Sequence, residues 1–251
     1  MDFNFLIYIF FGVLPSIIWL SYYLRKDLHP EPKKMILKIF FWGVLITLPV
    51  FFVQIGAAYL LGKTHLGALA TTLVYWFLII SLSEEFFKYL VVKMKVMNSP
   101  DLDEPLDIML YMVVAALGFA ALENILYLFA PIDQLSLNAV LSRTLLITII
   151  RFIGATFLHT LCSAIIGYAI AISLLDEKNR ILEATSGVIV AVLLHGFYDF
   201  SIMTLATPIS VIIPVVIIIT LAFIVFSGFE RLKKLKGITR LNASYYKAKN
   251  K

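Results

Sequence analysis

The chain has 251 residues, 61% of them hydrophobic and 15% charged, with a mean hydropathy of +0.94. A water-soluble domain is nearer half apolar and a quarter charged, so these values exclude one and point to a helical protein of the bilayer. The single cysteine, Cys162, excludes an intrachain disulfide, and the meaning of the net charge of +5 depends on where the charges sit.

The first apolar run, 3–24, has its basic residues after it, which reads as a span rather than a cleavable leader. "RKDLHPEPKK" then breaks helix with His29, Pro30 and Pro32, and a second span is expected over 36–61. The third covers 68–97. "NSPDLDEP" closes it and opens the fourth, 106–130, with acids suited to a helix N-terminus. "APIDQLSLN" leads to a fifth span, 143–175, which is longer than a bilayer requires. It must tilt, break near Gly154, or begin along the membrane surface. "LDEKNR" and "LATP" separate the last two spans, 181–204 and 208–229. The expected fold is therefore all-α: a polytopic transmembrane helical bundle of about seven spans over 1–230, followed by a basic tail, 231–251.

The basic residues orient this bundle. With the N-terminus outside, the cytoplasmic side collects Arg25, Lys26, Lys33, Lys34, Lys38, Lys93, Lys95, Lys178, Arg180 and eight more in the tail. That is 17 of the 21 Lys and Arg, against Lys63 alone in the outer loops, so N-out/C-in is expected. The same placement sets the tail against anionic lipid headgroups and removes the case for a nucleic-acid partner.

Eight polar groups lie inside the spans: Glu84, Glu85, Lys88, Glu123, Arg151, His159, His195 and Asp199. An ionised side chain at mid-bilayer costs about 2.5–3.5 kcal/mol on insertion scales, so six left apart would cost on the order of 15–20 kcal/mol. That exceeds the net stability of a typical domain, about 5–15 kcal/mol, so the groups are expected to share one polar interior. Bland readings exist for each. Glu84 and Lys88 are spaced i, i+4 and can neutralise each other, which leaves Glu85 over. Glu123 and Asn124 can hydrogen-bond neighbouring helices, and Arg151 can snorkel. His159 can be a satisfied interior histidine, and His195 with Asp199 a structural i, i+4 pair. Cys162 reads as packing, while His29 and His65 lie in loops without a signal.

Depth favours a single site. At about 1.5 Å of rise per residue, Glu84, Glu123, His159 and His195 all fall roughly 21–27 Å from the expected cytoplasmic ends of their helices. Imidazoles and carboxylates without a nucleophile motif or thiol array suit an open Zn²⁺-type site. Such an ion polarises a carbonyl and acidifies water, and a spare glutamate serves as general base. "GxSxG" and Gly-rich phosphate loops are absent.

"EEFFK" (84–88) fits E-E-x-x-K, "FAALEN" (119–124) fits F-x-x-x-E-N, and "HGFYDF" supplies H-x-x-x-D at 195 and 199. With His159 between them, the chain resembles the PrsW family of intramembrane proteases, within the wider group of CAAX-prenyl and bacteriocin-processing proteases. The resemblance covers about 70–205. It implies a membrane-embedded endopeptidase, metal-dependent, with zinc the expected ion, cutting a membrane-anchored protein substrate of the anti-sigma-factor kind near the outer face. It further implies catalytic roles for Glu84, Glu85, Lys88, Glu123 and Asn124, and metal-binding roles for Glu123, His159, His195 and Asp199. The related prenyl proteases carry histidine where Glu123 stands, which argues against a prenylated peptide. Two rivals remain: a proton-coupled transporter or channel, since buried Glu, Asp, His and Lys also build proton relays, and a non-catalytic scaffold.

Overall fold

The computed structural model describes residues 3–27, 29–129, 137–175 and 179–235. The regular elements among them are all helical: α1 (Phe3–Leu24), α2 (Lys33–Leu61), α3 (Ala68–Leu73), a π-helical segment (Val74–Ser81), α4 (Leu82–Lys95), α5 (Pro105–Leu128), α6 (Leu137–Ile153), α7 (Ala155–Ser173), α8 (Arg180–Thr204) and α9 (Ile209–Lys233). α3, the π-segment and α4 run on as one rod, and α6 and α7 form another. Seven stretches are thus long and apolar enough to cross a membrane. Most of the basic tail, from 236 onward, lies outside the described residues, as do the "DEK" of the "LDEKNR" turn and the "APIDQLS" stretch before α6.

The over-long fifth span is resolved by a break at Gly154, whose backbone (φ −89°, ψ −99°) leaves the helix. A Cβ here would lie 2.5 Å from the Tyr198 hydroxyl and 2.8 Å from the Ile150 carbonyl oxygen, so the bend is packed too tightly for a side chain. The helix also starts earlier than expected, at Leu137; its first turns carry the polar Asn138, Ser142 and Arg143, which hydropathy alone leaves out of a span. Arg143 Nη1 reaches back to the Leu128 carbonyl at 3.3 Å.

α5 is the axis of the bundle. It starts where a capping box closes: the Glu104 side chain accepts from the third helical residue, the Asp107 carboxylate accepts from Glu104 N–H at 2.7 Å, and Pro105 occupies the first turn. Within its apolar window 94% of the residues are buried, against 22–44% in the other six spans. α5 is therefore surrounded by protein while the others share their surface with lipid. Close approach to α2 depends on small residues. A Cβ on Gly118 would stand 2.0 Å from the Phe40 carbonyl oxygen, and one on Gly43 2.2 Å from that of Ala115. Large apolar side chains such as Leu37, Phe52, Ile219 and Phe223 cover the outside, as a hydrocarbon solvent allows.

Candidate active site

α4 contributes three charged side chains from one face. Glu85 and Lys88 are wholly buried and Glu84 nearly so. Glu85 has both oxygens engaged: Oε1 accepts from Lys88 Nζ at 2.8 Å and faces His195 Nδ1 at 2.9 Å, and Oε2 accepts from Ser163 Oγ at 3.0 Å. A buried carboxylate with three partners is a satisfied one. Lys88 Nζ also lies 2.8 Å from His159 Nδ1 and 4.5 Å from the centre of the Phe119 ring, but 3.6 Å from Glu84 Oε2. The i, i+4 pairing of Glu84 with Lys88, the bland reading of these residues, is thus present only as the looser contact. The tight pair is i, i+3 with Glu85, and the carboxylate left over is Glu84.

The donors fix the histidines. An ammonium only donates, so His159 Nδ1 accepts from Lys88 and Nε2–H donates to Glu123 Oε2, 2.8 Å away. The ionised Glu85 only accepts, so His195 donates through Nδ1 and turns Nε2 towards Asp199 Oδ2 at 3.3 Å and Glu84 Oε2 at 3.8 Å. The two rings meet edge to face with centroids 5.0 Å apart. Around Nε2 of His195, carboxylate oxygens face a ring nitrogen whose own proton is spent on Glu85. Such a group of acceptors calls for a cation or a proton among them.

Glu84 is the unusual member. Oε1 accepts from Gln54 Nε2 at 3.2 Å, whereas Oε2 is buried without any hydrogen-bond partner. Each of Glu84, His159 and His195 offers a donor atom within 4.8 Å of the other two. An N, N, O donor set beside an orphaned buried oxygen fits a borderline-soft divalent ion. Charge counting agrees. Glu84, Glu85, Glu123 and Asp199 outnumber Lys88 and Arg151 by two when the imidazoles are neutral, which is the charge of one such ion.

The opposite wall comes from α5 and the end of α6. Arg151 Nη2 donates to Glu123 Oε2 at 2.8 Å and Nε to Asn124 Oδ1 at 2.5 Å, while its guanidinium lies 3.9 Å over the Tyr127 ring. Asn124 Nδ2 in turn donates to Thr156 Oγ1 and the Gly12 carbonyl, at 3.0 and 3.2 Å. The side chains of Glu123 and Asp199 keep 20% and 23% of their surface, where Glu85 and Lys88 keep none, so the cluster opens on the side of those two carboxylates.

All eight residues singled out as site candidates from the sequence (Glu84, Glu85, Lys88, Glu123, Asn124, His159, His195 and Asp199) therefore meet in one constellation. The three-atom convergence contains Glu84 rather than Glu123 or Asp199, which each reach one imidazole. Gln54 and Ser163 were not singled out. A lone neutral polar residue in "VFFVQIGAAYLL" costs too little in lipid to stand out, and Ser163 looks like any small residue of a packed helix. Arg151 makes its ion pair inward rather than snorkelling. His29, expected to carry no signal, lies 2.7 Å from Glu104 at the start of α5. Cys162 is buried as packing.

The profile of the PrsW family intramembrane metalloproteases matches residues 31–227, a wider stretch than the motif-bearing part. Protease PrsW of Geobacillus kaustophilus is 33% identical over 76% of this chain and 78% of its own length. Protease PrsW of Bacillus subtilis is 29% identical over 92% and 96%, and that of Clostridioides difficile 26% over 76% and 77%. No solved structure matches the chain.

Proposed function

The chain belongs to the PrsW family of intramembrane metalloproteases, a peptide-bond hydrolase of the prokaryotic plasma membrane, and from that premise we propose how its buried cluster works. The observation that carries the reading is the orphaned Oε2 of Glu84, aimed between two imidazoles. Glu84 Oε2, His195 Nε2 and His159 Nδ1 would hold a divalent ion, zinc by the chemistry of the donors, with His159 Nδ1 giving up its hydrogen bond from Lys88 to do so. When bound, that ion supplies Lewis acidity to a carbonyl oxygen and to water. Glu85 orients His195 by accepting its Nδ1–H, as a carboxylate behind a ligating histidine does. Lys88 neutralises Glu85 and holds the ring of His159 until an ion takes its place at Nδ1, while Glu123 keeps the ring oriented through Nε2.

Proton transfer falls to Glu123, which stands on the open side. Its Oε2 is held by Arg151 and His159, and its Oε1 is free of hydrogen bonds among the described residues. Oε1 takes a proton from the attacking water and returns it to the amide nitrogen as the C–N bond breaks. Asp199 and Asn124 hold His195 and Arg151 in place. A membrane-protein substrate must present an unwound strand to this side. The resemblance set out from the motifs points to a single-span, anti-sigma-factor-like protein, cleaved towards the outer face of an N-out/C-in bundle whose motif core is 70–205.

Purified Glu84→Gln, Glu123→Gln and His195→Ala variants should remain folded and lose at least 10²-fold in turnover of a co-expressed single-span protein found by cleavage screening. Wild-type turnover by all three would refute the assignment. Substrate-dependent proton flux into liposomes without proteolysis would instead support a transporter.

A further inference from the structure

We infer that Gln54, on α2 and outside every motif, is a positioning residue that aims the free oxygen of Glu84 at the two imidazoles. This rests on the reading of Glu84 as an ion ligand. A carboxylate turns freely about its last bond and offers two equivalent oxygens, so something must decide which one faces the site. Here the decision is made by one neighbour: Gln54 Nε2 lies 3.2 Å from Oε1 and is the hydrogen-bond donor that Glu84 has. The amide orientation follows from the chemistry around it. Ser83 Oγ donates to the Ile79 and Ile80 carbonyls, at 2.5 and 3.0 Å, so towards Gln54 it accepts, as Glu84 does. Both partners of Nε2, at 3.3 and 3.2 Å, therefore call for the NH₂ end.

The nearest competitor shows why such a clamp is needed. Lys88 Nζ stands 3.6 Å from Oε2 of Glu84, roughly 0.7–0.9 Å beyond a charge-assisted hydrogen bond. Released from Gln54, Glu84 would swing onto Lys88, and the oxygen meant for the site would be spent on an ammonium. A cationic residue in place of Gln54 would neutralise the carboxylate and compete with an incoming ion. The amide directs it without discharging it. Its neutrality is also what lets it sit in an otherwise apolar span at low cost.

The test uses the full chain in detergent micelles with Co²⁺ alone as the probe, titrated by its visible absorption, for wild type, Gln54→Leu, Ser83→Ala and Glu84→Gln. Gln54→Leu keeps the volume and should fold, yet bind Co²⁺ 10–100-fold more weakly. Its kcat should fall by a similar factor with KM unchanged. Ser83→Ala removes the other partner of the amide and should bind as wild type does. Wild-type Co²⁺ affinity in Gln54→Leu, with binding lost in Glu84→Gln, would overturn the positioning role and leave the site intact. Equal weakening in Ser83→Ala would overturn it too, since the α2–α4 contact and not the Glu84 bond would then matter. Wild-type affinity in Glu84→Gln would show that Glu84 holds no ion, and the proposal would fall with the reading beneath it.

Discussion

At the scale of single residues, the site is a problem of too many acids in too little water. Lys88 answers most of it. Its ammonium has no exposed surface, touches Glu85 and His159 at 2.8 Å, and lies within reach of Glu84. Removing one partner of a fully buried ion pair leaves a charge uncompensated, so Lys88→Met should lower stability by about 3–5 kcal/mol. The double variant Lys88→Met/Glu85→Gln should recover part of that loss, read as coupling in an unfolding cycle. Additive losses would mean the pair is not energetically joined. These residues were legible in the sequence because ionised groups inside apolar runs are too costly to be accidental. Gln54 and Ser163 were not, because neutral groups cost little wherever they lie. The choice between Glu84 and Glu85 as the satisfied carboxylate was also hidden. It turns on whether Lys88 reaches back three residues or four, and helix spacing permits both.

At the scale of elements, the bundle depends on how closely backbones approach. Gly118 and Gly43 set α5 against α2 at a distance no side chain would tolerate. Gly118→Ala would place a methyl group 2.0 Å from the Phe40 carbonyl oxygen, in backbone that has no rotamer with which to yield. It should cost about 1–3 kcal/mol or more, measured by unfolding in mixed micelles. Because α2 brings Gln54 and α5 brings Glu123, the same change should also reduce turnover. Span existence could be read from hydropathy, and the break at Gly154 was one of three outcomes the over-long fifth span allowed. The π-helical stretch Val74–Ser81 had no counterpart in the sequence reading, since "VYWFLII" ahead of Ser81 is an unbroken apolar and aromatic run with no periodicity to betray its wider winding. It runs directly into α4, and its last residue, Ser81, donates through Oγ to the Val192 carbonyl on α8 at 2.6 Å. That bond ties the helix bearing His195 to the one bearing Glu84 and Glu85.

At the scale of the molecule, seven helices long and apolar enough to cross a membrane surround the polar cluster, and the distribution of Lys and Arg is the basis for the proposed N-out/C-in orientation. A green fluorescent protein fused after Lys251 should fluoresce in cells while an alkaline phosphatase fused at the same point stays inactive; the reverse pattern would invert the proposed orientation. The relatives from three bacterial genera match across most of their length, so the bundle and not just the motif helices is what they share. The burial of α5 has a further consequence. Over most of its length α5 is shielded from the bilayer, so changes in acyl-chain length or fluidity act first on the outer helices, although its last turn exposes Leu126 and Tyr127 close to Glu123. The carboxylate we assign to proton transfer is mounted on the most buried of the seven spans, so cold or heat that remodels the lipids should disturb substrate entry before it disturbs the chemistry.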